Sequence, residues 1–209
     1  IVGEAGETYD DNITYANTNT KRDFITNLTG GLLAEYEGKT SSAGFIGNLT
    51  QGIFAQHPNY SNLAEDATLK FNSELTKRAR MSLRDVLSHT YEYRSFEEQF
   101  GAPGGRYSYF RNRFYADFNM DLLKQLALIL KYQNNIDLPS RSEISDSYYN
   151  LGGAELDYYI TSKTIVMGTY DFSIRKFDPG KRAATRSMGG GVRQYMTDRL
   201  YFDLKAALD

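Results

Sequence analysis

The chain has no cysteine, no tryptophan and only 4 prolines among its 209 residues. Without cysteine there is no disulfide framework, no thiolate metal site and no cysteine nucleophile. Scarce proline lets strands run on without interruption. Long apolar runs are missing too: the longest is Leu126-Ala127-Leu128-Ile129-Leu130, whereas a membrane-spanning helix needs about 20 such residues. Helical insertion is excluded. A β-barrel is not, because its membrane signal is alternation rather than bulk hydrophobicity. Charge of one sign is not in excess either. With 24 basic and 26 acidic residues the net charge is −2, so nothing draws the chain as a whole to nucleic acid, and none is expected as a partner. No signal peptide opens the chain at Ile1, which reads as a mature, trimmed or partial sequence.

What is abundant is tyrosine (17) and phenylalanine (12), residues that favour strands. Side chains on a strand alternate between two faces, and this alternation recurs along nearly the whole chain. Leu156, Tyr158 and Ile160 oppose Asp157, Tyr159 and Thr161. After Ser162-Lys163, Val166, Gly168, Tyr170 and Phe172 oppose Ile165, Met167, Thr169 and Asp171. Phe24–Tyr36, Ala43–Ala55, Ala67–Leu75, Met81–Tyr93 and Phe110–Phe118 behave likewise. A first strand is expected around Glu7–Tyr15, and Leu122–Tyr132 reads as a strand although its leucines also fit helical spacing. The total is about eleven runs in a single domain, 1–209.

Short connections are expected at Gly38–Ser41, Thr76–Arg80, Asn119–Asp121, Thr161–Lys163 and Thr197–Arg199. Longer ones are expected at Ala16–Arg22, His57–Ser61, Ser95–Arg106, Asn134–Ile144 and Lys176–Arg182. They alternate, so one end of an up-and-down meander is trimmed tight and the other carries the loops.

A soluble sandwich or small barrel is one reading of this pattern. Three features favour lipid. The runs exceed the roughly 5–6 residues of an average strand. The loop asymmetry is that of membrane barrels. Aromatics on the apolar parity collect toward the strand ends, with aliphatic residues between them, as in the two girdles of a membrane barrel. The register that places Arg111 and Arg113 away from lipid avoids about 2–4 kcal/mol for each arginine. That register leaves Asp85, His89 and Lys124 on the lipid parity. The run Arg182–Met196 has no clear register.

The segment "ETYDDNITYA" at Glu7–Ala16 and hairpins such as "YYITSKTIV" and "QYMTDRLYF" resemble the outer-membrane β-barrels of Gram-negative bacteria. The likeness is greatest to the loosely defined porins found beside envelope and exopolysaccharide genes, and it extends over the whole chain as a pattern. It implies an all-β, antiparallel up-and-down transmembrane β-barrel, of about twelve strands or part of a larger barrel. It implies an outer-membrane location with lipid as the surrounding partner, and a passive channel for small polar solutes, a saccharide or a polysaccharide. The ending "LKAALD" departs from the terminal aromatic usual in such barrels.

The polar face carries the candidate pore-lining residues: Lys70, Glu74, Arg84, Arg94, Arg111, Arg113, Lys131, Asp157, Asp171 and Arg175. Charged rings set the selectivity of pores. The same charges could instead pair across the interior and plug it, leaving an anchor or assembly partner that works through its loops. Catalysis is not expected. Of the two histidines, His57 lies in a long loop and His89 adjoins Ser88 on a strand, where neighbours point apart. Asp10-Asp11-Asn12 reads as a polar strand or turn before it reads as a calcium site, and Gly189-Gly190-Gly191 reads as a place for bending or close packing. No cofactor or metal is expected.

Overall fold

The alternation is realised as one sheet. The computed structural model describes residues 1–16, 18–91, 106–197 and 200–208. Among them are eleven strands: β1 (Val2–Asp10), β2 (Asp23–Glu37), β3 (Ser41–Phe54), β4 (Asn62–Thr76), β5 (Ala79–Thr90), β6 (Tyr109–Leu123), β7 (Leu126–Pro139), β8 (Ser147–Thr161), β9 (Thr164–Phe177), β10 (Lys181–Tyr195) and β11 (Tyr201–Leu208). Each is hydrogen-bonded antiparallel to its sequence neighbours, in the order β1 to β11. The expected up-and-down meander is therefore present. Its closure into a barrel is not: β1 and β11 do not pair with each other, and the sheet is open.

The strands are staggered. A lateral row starts at Gly30, midway along β2, and passes through Leu49, Glu65, His89 and Phe110 to Leu138 near the far end of β7. Stagger of this kind accompanies strand tilt in barrels. The sheet also curls: Thr8 of β1, Thr90 at the end of β5 and Arg106 line one cavity of about 190 Å³. The concave side is the polar parity.

The convex side carries the apolar parity. Leu32, Leu49, Leu69, Leu156, Tyr158 and Phe202 are all about half exposed. Among the described residues no helix or second sheet covers them. A soluble sandwich would bury these side chains against another layer.

Several boundaries differ from expectation. β1 lies earlier than Glu7–Tyr15, and Ile13 and Tyr15 fall instead in the following loop, where both are buried. The run Leu122–Tyr132 is not one strand. Leu122 and Leu123 end β6, Lys124-Gln125 form the turn, and a register shift near Asp121 makes room for it. Lys124 thus leaves the lipid parity altogether. β7 continues to Pro139, so much of the loop expected at Asn134–Ile144 is strand, and the connection at 178–180 is tight. The asymmetry of the two ends survives in the connections 11–22, 55–61 and 140–146 against 38–40, 77–78, 124–125 and 162–163.

The similar segments "NLTGG" and "NLTQG" turn out to be partners. They pair antiparallel about Thr29 and Thr50, whose hydroxyls lie 2.9 Å apart. Asn27 faces Gly52 and Asn48 faces Gly31, so each asparagine lies over a residue without a side chain. A Cβ at Gly31 would sit 2.6 Å from Asn48 Oδ1.

The run without a clear register is fixed by pairing. Arg193 points to the concave face and Arg186 to the convex one, where its guanidinium lies 5.7 Å from the Phe172 ring centroid. The glycine triplet lies where β10 packs against β11: a Cβ at Gly191 would meet the Leu204 carbonyl oxygen at 2.7 Å. That backbone contact cannot yield as a flexible side chain would. Gly191→Val is expected to cost about 1–3 kcal/mol and to speed amide hydrogen exchange throughout 201–208, with less effect on β2–β5.

Candidate functional site

Along the concave face the inward parity of each strand supplies the polar groups. Lys70 and Glu74 come from β4, Arg84 from β5, Arg111 and Arg113 from β6, and Lys131 from β7. Asp157 comes from β8, and Asp171 and Arg175 from β9; all lie on this face. Arg94 lies outside the described residues.

The structure does not gather these into a single ring. Arg111 and Arg113 converge on Asp137: Arg111 Nε lies 3.1 Å and Arg113 Nη2 3.0 Å from its Oδ1, to which the Tyr109 hydroxyl also donates at 2.9 Å. All three charged side chains are about 15% exposed or less. Lys131 pairs with Glu155 at 3.1 Å, Arg80 with Glu74 at 3.5 Å, and Ser88 donates to Asp66 at 2.6 Å. Arg175 lies over the Tyr149 ring, 5.0 Å from its centroid. Near the β10–β11 edge Arg193 makes a bidentate pair with Asp203 at 2.7 and 2.8 Å. Asp171 faces Gly153, whose missing Cβ leaves room for the carboxylate. Asp157 is buried beside an apolar patch of Ala127, Ile165 and Met167.

The candidate pore-lining set leaves out Asp66, Tyr109, Glu155 and Asp203, although alternation alone puts each of them on the polar parity of its run, and it leaves out Asp137. Asp137 was hidden because its segment read as loop.

At the loop end, side chains pack over part of the concave side. The loop 11–22 folds inward. Ile13, fully buried, packs with Ile25, Phe54 and Tyr60, and Tyr15 packs with Tyr107, Tyr109 and Ile144. Arg106 lies between the two clusters, 5.7 Å from the Tyr15 ring centroid and 4.7 Å from that of Phe54. The loop's shape comes from Asn12. Its backbone N–H donates to Asp10 Oδ1, its own Oδ1 accepts from the Thr14 hydroxyl and the Ala16 N–H, and its amide donates to the Ala16 carbonyl. Asp10-Asp11-Asn12 is thus a hydrogen-bonded turn.

Behind this loop Asp23 is 1% exposed. Its carboxylate accepts backbone N–H bonds from Phe24, Gln56 and His57, and lies 3.0 Å from His57 Nδ1. Gln56 and His57 therefore tie the loop 55–61 to the start of β2. At the rim, the Glu143 carboxyl is held below the usual carboxylate range, first by its own backbone N–H and then by Arg141, whose Nε is 2.8 Å away.

On the convex face Asp85 remains outward with no local bulge. It is opposite Leu69 and Phe114 and accepts a 2.7 Å bond from Asn112. Asn134 and the Tyr132 hydroxyl likewise donate to Asn150, each at 2.9 Å. His89 sits outward opposite Glu65, on the other face from Ser88.

Compared with known proteins, the chain matches no family model, and no curated protein matches it.

Two outcomes test this geometry. Asp137→Asn takes the carboxylate from between two arginines and is expected to lower unfolding stability by about 3 kcal/mol, measured by denaturant titration. Asp23→Asn replaces an acceptor-only group with one that also carries donors. It is expected to lower the melting temperature and to make limited proteolysis within 11–22 several-fold faster.

Proposed function

We propose that this chain forms the wall of a transmembrane β-barrel in a bacterial outer membrane, and that the barrel acts as a passive channel for small polar solutes or saccharides. The observation that supports this most is the pairing of an uncovered apolar convex face with a charged concave one. In lipid, the exposed leucines and tyrosines are solvated and the arginines face water, which is the distribution membrane barrels use. Several convex polar groups are hydrogen-bonded to one another, Asp85 with Asn112 and Asn134 with Asn150, and so cost less in an apolar surround. In a bilayer the outer edges of β1 and β11 also require hydrogen-bonding partners, since an open edge leaves each backbone group unsatisfied. The likeness to porins found near exopolysaccharide genes belongs to the same proposal, with a polysaccharide as one candidate cargo.

A non-conducting barrel, serving as an anchor or assembly partner through its loops, is the second reading. It is favoured by one observation: the buried cluster of Ile13, Tyr15 and Arg106 across the loop end. Planar-bilayer recording of the purified protein separates the two. For a channel, discrete current steps are expected, and Ile13→Asp, which dislodges the loop, is expected to enlarge them. Silence from both the parent and the variant, in protein that remains folded in the bilayer, favours the anchor and rejects the channel.

A further inference from the structure

Most inward cations on the concave face have a partner of their own: Asp137 for Arg111 and Arg113, Glu155 for Lys131, Glu74 for Arg80, Asp203 for Arg193, and the Tyr149 ring for Arg175. Lys70 and Arg84 are different. They stand directly opposite each other on β4 and β5, and among the described residues neither makes an ion pair. Like charges facing each other across an antiparallel pair destabilise the sheet. Arg84 is in turn directly opposite Tyr115 on β6, so the two cations and the phenol lie in one lateral row. Together with Asn72, Ser82 and Asp117 they line a cavity of about 370 Å³, within the range of small-ligand sites.

We propose that Lys70 and Arg84 form an anion station: a site that takes the carboxylate or phosphate group of a small solute between the ammonium and the guanidinium. Tyr115 and the neutral side chains of Asn72 and Ser82 supply hydrogen bonds to the rest of the solute. An oxyanion there removes the repulsion between the two cations and gains charge-assisted hydrogen bonds, the stronger kind. Asp117, on the same wall, disfavours a second negative group nearby and so favours solutes with one anionic end. The inference rests on the channel reading only in suggesting what would pass; the site itself requires no conduction.

The test uses the full chain in detergent micelles, titrated calorimetrically with glucuronate, inorganic phosphate and glucose. Saturable binding of glucuronate or phosphate is expected, weakening as salt is raised, with none for glucose. The tighter of the two anions tells a carboxylated solute from a phosphorylated one. The double variant Lys70→Gln/Arg84→Gln is expected to lose at least about tenfold in affinity. Without ligand, it is expected to melt above the parent, because the repulsion is gone. Failure of the parent to bind either anion, undiminished binding by the double variant, equal binding of glucose, or a double variant that melts below the parent overturns the station. Because binding is read in micelles, a protein that is silent in bilayers yet binds anions loses the channel and keeps the site.

Discussion

Everything in this molecule depends on an unbroken antiparallel ladder that assigns each side chain to one of two faces. Ten hairpin pairings carry that assignment from β1 to β11. Because the side-chain period is two, a slip of one residue in any pairing would exchange the faces beyond it. Arg111 and Arg113 would then point outward, and Phe110 and Phe114 inward. The ion pairs on Asp137 and the half-exposed leucines outside are two results of one register.

That dependence explains what could be read from the residues alone. Parity is local, so the inward positions of Lys70, Arg84, Arg111 and Arg175 could be read from their own strands. Turns are less legible when leucines surround them: Leu122 and Leu123 continue the greasy pattern of β7 across the Lys124-Gln125 turn, and nothing in their chemistry announces a reversal. Pairing is legible least of all. Asp137 joins Arg111 only because β6 and β7 lie side by side in one particular stagger. The packing of Tyr15 against Tyr107 and Tyr109 depends on the curl of the four intervening strands, β2 to β5. Closure was expected from the whole pattern, yet the sheet is open between β1 and β11.

The concave face is also less uniform than its alternation implies. Aromatic rings and Arg106 pack together at the loop end, and Arg111 and Arg113 with their shared carboxylate lie next to them. The solvated pair Lys70 and Arg84 follows toward the turns, where Ala127, Ile165 and Met167 lie buried around Asp157. In the proposed channel a solute would meet these zones in series, so selectivity would come from their order and not from one ring of charge. The same ordering puts the best-packed part of the interior under the loops, where Asp23 at the start of β2 holds His57 and the loop 55–61.

The matched segments around Thr29 and Thr50 have a consequence for assembly. Only one alignment of β2 on β3 sets both asparagines over glycines and brings the two hydroxyls together. A shift of two residues keeps the faces but drives Asn48 against a larger side chain. The hairpin is therefore a self-checking template. Its fixed stagger is the row on which β1 aligns at one side and β4 at the other, much as the first course of bricks sets the bond of a wall.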